Sequence, residues 1–319
     1  MGATPGKANS GRGGQASKAA AARQLVFPAD AVTRDIFLDD RPGGAGCRDG
    51  EPRRVLASAR TGSTARYSIW GTQGAGMAFS DLLVMSAVAA IVQGSGPGPA
   101  RFTLADVARR LGYANPHAPG MSRTVDSVAA TLRRLSGARV ELSAVAGEGG
   151  RPWLGAVPPS PVVSCVPLGD YRGASTRFEA VPPDPARPLS ALPLLARADE
   201  AGQVIGVAPR QMPDFSGRRV SLAQRQMAIY LTVRALGRLP RSKVLLDTLM
   251  RAGGVRFPEG GAGRQARARA LRQLVRTLDA MSEQGAVIGG YELERDGGRV
   301  RAVVLQPIKA GKQSGINFR

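Results

Sequence analysis

The sequence predicts an α+β protein in which one plan of helices followed by a hairpin is used twice, and three observations carry that expectation. The first is a repeat at roughly the spacing of a domain. In the first half, SDLLVMSAVAAIV from Ser80 is followed by FTLADVARRLGY from Phe102, SRTVDSVAATLRRL from Ser122 and RVELSAVAGEGGRPWLGAV from Arg139. In the second half, SLAQRQMAIYLTVRAL from Ser221 is followed by SKVLLDTLMRAGG from Ser242, GRQARARALRQLVRTLDAM from Gly263 and AVIGGYELERDGGRVRAVVLQP from Ala286. The second observation is the order inside each copy: an apolar helix, a short helix, a turn, an Arg-bearing amphipathic helix, and a hairpin turning on an acid and two glycines. That order is a helix-turn-helix with a β-wing. The third is charge, with 44 Lys and Arg against 24 Asp and Glu for a net +20. The predicted fold is therefore two tandem winged-helix domains with a disordered basic N-terminal arm.

Length and composition allow this plan. A chain of 319 residues with 43% hydrophobic content can bury two cores of roughly 100 to 150 residues each. A GC-rich genome inflates Arg together with Ala, Gly and Pro, yet codon bias alone need not leave acids so scarce. A sequence pI of about 11.4 therefore points to a polyanionic partner. The two cysteines, Cys47 and Cys165, are isolated, so neither a disulfide framework nor a zinc site is supported, and a reducing cytoplasm is the expected compartment. The first long apolar run, Leu82 to Val92, lies well inside the chain and is too short to cross a bilayer, so no membrane role is expected.

In chain order, residues 1–24 carry Gly, Ala, Ser, Lys and Arg with almost nothing to bury, which reads as the basic arm, either a solvated tail or a non-specific phosphate contact. Residues 25–64 hold an apolar patch (Leu25, Val26, Phe27, Ile36, Phe37, Leu38) and a Gly/Pro/Arg loop, read as a small docking element and linker. The first winged-helix domain spans 65–210, opening near Tyr67 with the strand-like YSIW. An Asp81-led helix follows. Thr103 with Asp106 three residues on is a near capping box, and Gly112 closes that short helix.

The next helix, capped on this reading by Ser122, has Val125, Val128, Ala129, Leu132 and Leu135 on one stripe. Its opposite face carries Arg123, Ser127, Ala130 and Arg134, flanked by Asp126 and Arg133. Small residues with arginines suit a helix entering a groove about 12 Å wide. They equally suit an ordinary solvated face. The Pro-rich stretch 158–213 is too long for a plain loop. It reads as strands extending the first sheet (Val162 to Val166, Gln203 to Val207) and otherwise as an extended linker.

The second domain, 211–308, carries the stronger signal and is followed by a tail, 309–319. Leu271, Leu274, Val275, Leu278 and Met281 define the core stripe of its long helix, while Gln265, Arg269, Arg272 and Arg276 line the opposite side with Ala266 and Gln273. Surface helices usually mix charge signs, yet no acid lies between Gly263 and Thr277. Arg can contact guanine O6 and N7, and Gln can pair with adenine N6 and N7, so this face offers base readout as well as charge. In the wing, Tyr291, Leu293, Val300, Ala302 and Val304 are expected inward, and Arg299 and Arg301 outward beside the turn. Glu292 and Glu294 would share that outer face and pair with the two arginines. The expected DNA-binding residues are thus Arg123, Ser127, Arg134, Gln265, Arg269, Arg272, Gln273, Arg276, Arg299 and Arg301.

Catalytic chemistry has little to build on. His117 is the one histidine and lies in a turn, so a paired-histidine metal site cannot form, and no GxxxxGK[ST] loop occurs. No catalytic residue, metal or cofactor is expected.

The chain resembles bacterial plasmid and secondary-replicon replication initiator proteins over about Tyr67 to Pro307. The likeness rests on IWGTQGAGMAFSDLLVMSAVAAI, on FTLADVARRLGY before SRTVDSVAATLRRL, and on SLAQRQMAIYLTVRAL opening the second unit. It implies tandem winged-helix domains that bind duplex DNA at origin repeats, open a neighbouring AT-rich region, and recruit the host initiator and replicative helicase. It also implies repression of the protein's own gene as a homodimer. A transcription regulator or partition-type protein would use the same folds. An RNA-binding protein fits the charge but would display stacking aromatics, which are only 5% here, and a nuclease or recombinase lacks its metal cluster.

Overall fold

The computed structural model describes residues 25–29, 33, 36–37, 53–57, 63–70, 77–143, 145–146, 152–212, 220–237, 242–255 and 261–308. The basic arm 1–24, the tail 309–319 and much of the 25–64 element lie outside the described residues. What is described is mixed α and β, with helices packed among small antiparallel sheets.

The chain opens with strands β1 (Leu25–Pro28), β2 (Arg53–Ala57) and β3 (Ser63–Trp70), and then helix α1 (Phe79–Ser95). Leu82 to Val92 of α1 are buried on every side, as an all-apolar helix must be. Strand β4 (Ala100–Thr103) leads into α2 (Leu104–Arg110), where the capping box forms as the sequence suggests. The Asp106 N–H donates to Thr103 Oγ1 at 3.2 Å and the Thr103 N–H donates to Asp106 Oδ2 at 2.8 Å. Helix α3 (Ser122–Gly137) follows, but Met121 stands at its cap and Ser122 is already helical, with no side-chain cap bond. The predicted core stripe of α3 is buried at all five positions.

The first hairpin is assembled from β5 (Arg139–Leu142), β6 (Val145–Ala146), β7 (Pro152–Leu154) and β8 (Val157–Pro161). β6 pairs with β7, while β5 and β8 close the four-stranded sheet β2-β3-β5-β8. The Pro-rich stretch that follows is not an extended linker. It folds as β9 (Cys165–Pro167), β10 (Arg177–Ala180), helix α4 (Pro193–Glu200) and β11 (Val204–Val207). Phe178, Leu189, Leu192, Leu194 and Leu195 are buried there, and Phe178 stacks on Phe102 with ring centroids 6.0 Å apart. Its leucines supply the apolar area that a true linker lacks, while Pro167 ends β9, Pro193 opens α4, and Pro158 and Pro159 lie in the edge strand β8, positions that tolerate the missing N–H. β11 also departs from expectation. It pairs with β1 rather than with the first sheet, Leu25 opposite Val207 and Phe27 opposite Ile205, so the apolar patch at 25–27 docks against the end of the Pro-rich stretch.

The second half comprises α5 (Leu222–Leu236), β12 (Ser242–Leu245), α6 (Leu246–Ala252), α7 (Gly261–Gln284), β13 (Gly290–Asp296) and β14 (Arg299–Gln306). α5 begins at a capping box, Ser221 with Gln224. α7 is held on the core by Leu274, Leu278 and Met281, all buried, with Leu271 half-buried beside them. Replacing Leu274 by Ala should therefore cost about 2–5 kcal/mol through the transfer and cavity terms; a chemical-denaturation midpoint within error of the parent's would show that α7 is not anchored by this stripe.

The halves are not insulated from one another. Phe79 of α1 meets Tyr230 of α5 edge to face, centroids 5.5 Å apart, and the buried residues form one continuous cluster through both halves.

Candidate nucleic-acid interface

The second half presents its cations in the open. On α7, Gln265, Arg269, Arg272 and Arg276 are exposed, spaced four, three and four residues apart, so they fall on one face. Gln273 and Ala266 are half-buried at its margin. From Gln265 to Arg276 the rise is about 16 Å at 1.5 Å per residue, the reach of about five base-pair steps. Among the described residues, no ion pair or hydrogen bond engages Arg269, Arg272 or Arg276. For Arg269 and Arg272 the acid-free run accounts for this, because no acid lies three or four residues away, while Asp279, three residues after Arg276, accepts the Tyr291 hydroxyl instead.

The hairpin beside α7 turns where the sequence places it. Asp296 faces Arg299 across Gly297 and Gly298, whose φ values are +54° and +78°, the left-handed pair that a type I′ two-residue turn requires. The faces of the hairpin differ from expectation, however. Glu294 pairs with Ala302 and Arg295 with Val300, so β14 advances two residues where β13 advances one, and Arg301 is the extra residue of a bulge. Tyr291 and Leu293 consequently share their face with Leu305, Val303 and Val300, while Ala302 and Val304 lie opposite with Glu294 and Glu292. A strict period-two reading cannot place a bulge.

The glutamates do not pair with Arg299 and Arg301 of the hairpin. Lys243 Nζ donates to Glu294 at 2.6 Å, Gln306 Nε2 donates to Glu292 at 2.7 Å, and Arg301 bridges to Asp296 at 2.9 Å. All are surface contacts and add little stability. Arg299 is exposed at the turn. The Tyr291 hydroxyl donates to Asp279 of α7 at 2.6 Å, tying hairpin to helix, and burial together with that bond pushes its phenol up to about 12.

Between the N-terminal part of α7 and the hairpin runs a groove of about 430 Å³, to which Arg264, Arg267, Arg295 and Arg299 all contribute. Arg267 is paired with Asp247 at 3.1 Å. Arg264 and Arg295 were not singled out in the sequence. Arg264 belongs to the same acid-free run, which was the available signal, whereas Arg295 reaches the groove through the bulged register.

The first half is arranged differently. Arg123 and Ser127 are exposed but line a cavity facing α5. Arg133 lies over the Tyr171 ring at 5.3 Å, and the Tyr171 hydroxyl donates to Asp126. Arg134 is turned inward: its Nη2 donates to Oδ1 of Asp81, a carboxylate with no exposed side-chain surface. On a helical wheel Arg134 belongs to the outer stripe, but its long side chain reaches the buried acid of α1. The second Asp81 oxygen accepts the Ala78 N–H at 2.7 Å. Burial raises the Asp81 pKa, and the Ala78 N–H and Arg134 oppose that rise.

A measurable pH dependence follows. A carboxylate whose folded pKa lies above its unfolded value loses stability as rising pH ionises it, and removing Arg134 raises that pKa further. Arg134→Met should therefore cost about 2–4 kcal/mol at neutral pH, somewhat less than for fully buried pairs because 35% of the Arg134 side chain is exposed. The loss should shrink in acid and in an Asp81→Asn background; an equal loss in both backgrounds would assign Arg134 no pairing role.

Among the described residues no three His, Cys, Asp or Glu side chains converge as a metal site, and no helix is long and apolar enough to cross a membrane. No protein-family model matches the chain and no curated protein matches it in sequence. The chain is similar to two solved structures of RctB. One is a crystal structure of selenomethionine derivatives of its domains 2 and 3, with 15% identity over 88% of this chain and 96% of that one and a TM-score of 0.47. The other is a crystal structure of RctB domains 2-3, with 12% identity over 87% of this chain and 96% of that one, also at a TM-score of 0.47.

Proposed function

We propose that the protein is a sequence-specific double-stranded DNA-binding replication initiator, in which each half is a winged helix and the second half makes the principal base contacts. The observation that carries this reading is the exposed stripe Gln265, Arg269, Arg272 and Arg276 on a helix whose other side is anchored in the core. A stripe of like charges at one-turn spacing repels itself unless an anion lies against it. Its groups are those that read guanine and adenine edges, and the neighbouring groove supplies Arg264, Arg295 and Arg299 for phosphates. Helix α3 would have a supporting role, because Arg133 and Arg134 are engaged within the protein and leave Arg123 and Ser127 as its DNA-facing groups.

On this reading the protein binds repeats at an origin, recruits the host initiator and replicative helicase, acts without catalytic chemistry or cofactor of its own, forms a homodimer, and works in the cytoplasm on a plasmid or nucleoid. Selection of duplexes from a random pool by the full chain tests it. The enriched sequences should share a motif that, placed in tandem on a test plasmid, supports replication dependent on the protein. A motif that binds but never supports replication would leave a regulator or partition protein, and a pool with no motif would end the sequence-specific reading.

A further inference from the structure

A cavity of about 270 Å³ opens where the two halves meet, between α1, α3 and α5. Most of its surface is apolar, from Leu83 and Val84 of α1, Val128 of α3, and Leu222 and Ile229 of α5, and Ser80, Thr124, Ser127, Thr131 and Gln226 add neutral polar groups. Leu222 stands 57% exposed at the N-terminal end of α5 and forms an apolar lip of the cavity. The volume lies just below the low end of small-molecule sites, about 300–1,000 Å³, which combine apolar walls with a few convergent polar groups.

Among the described residues lining the cavity the charged groups are of one sign, Arg123 from the first half and Arg225 from the second, with no acid beside them. Arg225 is fixed in position, its guanidinium 4.8 Å from the Tyr113 ring centroid and its Nη1 donating to the Gly112 carbonyl at 3.3 Å. Arg123 makes no hydrogen bond or ion pair among the described residues. Water is poorly held against apolar walls, whereas an anion beside two guanidinium groups gains charge-assisted hydrogen bonds.

We propose that this cavity binds a small amphipathic anion, a molecule with an apolar body and a single carboxylate, sulfonate or phosphate head. The body lies against Leu83, Val84, Val128 and Ile229, and the head sits between Arg123 and Arg225. Because the walls come from both halves, an occupant holds them together and stabilises the folded chain by mass action. Arg123 also belongs to the proposed DNA face of α3, so occupancy would withdraw it from a duplex, a consequence that rests on the DNA-binding reading, as the ligand site itself does not.

Titration of the full chain with anilinonaphthalene sulfonate in the absence of DNA, with decanoate and decanol as competitors, tests the site. The expected result is one saturable site from which decanoate displaces the probe. Arg123→Gln with Arg225→Gln should weaken decanoate about tenfold to a hundredfold, the value of losing charged hydrogen bonds, while leaving competition by decanol unchanged. Ser127→Trp, or Thr124→Phe should the first variant lose its circular dichroism, fills the mouth and should abolish displaceable binding. Undiminished decanoate binding in a folded filling variant would overturn the proposal, as would equal competition by decanol and decanoate in the parent. Displacement of the probe by a short duplex but not by decanoate would assign the cavity to the DNA surface instead, and likewise end it.

Discussion

Raising salt from about 50 to about 200 mM should weaken duplex binding by on the order of 10³- to 10⁵-fold, the loss that accompanies about 6 to 10 phosphate contacts when condensed counterions are no longer released into dilute solution. The net charge of +20 and the exposed arginines of α7 and its groove set this expectation. The logarithm of affinity should fall linearly with the logarithm of salt, and Arg299→Ala should reduce the slope by about one unit if that side chain meets a phosphate. Fluorescence anisotropy across a salt series measures it. A nearly flat dependence would mean that the charge of this chain is not directed at nucleic acid.

The second large effect belongs to Arg269, Arg272 and Arg276. Replacing all three by Ala should weaken the specific site by a hundredfold or more, since each base-reading Arg is worth about 1–3 kcal/mol. The exposed positions make no packing contribution that would unfold α7, and Leu274 beneath them stays buried. Single variants separate the roles: a base reader relaxes preference at one base pair, while a phosphate contact weakens all sequences alike. The same substitutions on α3 should do less, because Arg134 serves Asp81 and Arg133 lies over Tyr171. A triple variant that folds and binds as tightly as the parent would move the DNA surface off α7.

Much of this arrangement is readable from the sequence because local rules govern it. The core stripes of α3 and α7, the Thr103–Asp106 box and the Gly297-Gly298 turn each depend on residues within about one turn of one another. The parts that escape depend on distant partners. Nothing near Leu25 announces that it pairs with Val207, and nothing in the Pro-rich stretch reveals that its leucines have a core to enter. Arg134 shows the same limit at the candidate site: a helical wheel ranks it with Arg123 and Ser127, but a buried acid on another helix decides where it points. The β13–β14 hairpin is intermediate, its turn fixed locally and its faces exchanged by one extra residue at Arg301.

The central claim, that the protein reads repeated duplex sites through α7, is tested most directly by crosslinking it to nucleic acid in its native cell and sequencing what is recovered, from the parent and from the triple Arg variant side by side. The account predicts DNA rather than RNA from the parent, concentrated in tandem repeats at one locus and lost from that locus in the variant. Recovery of RNA, or of DNA spread evenly over the genome and unchanged by the substitutions, would contradict it.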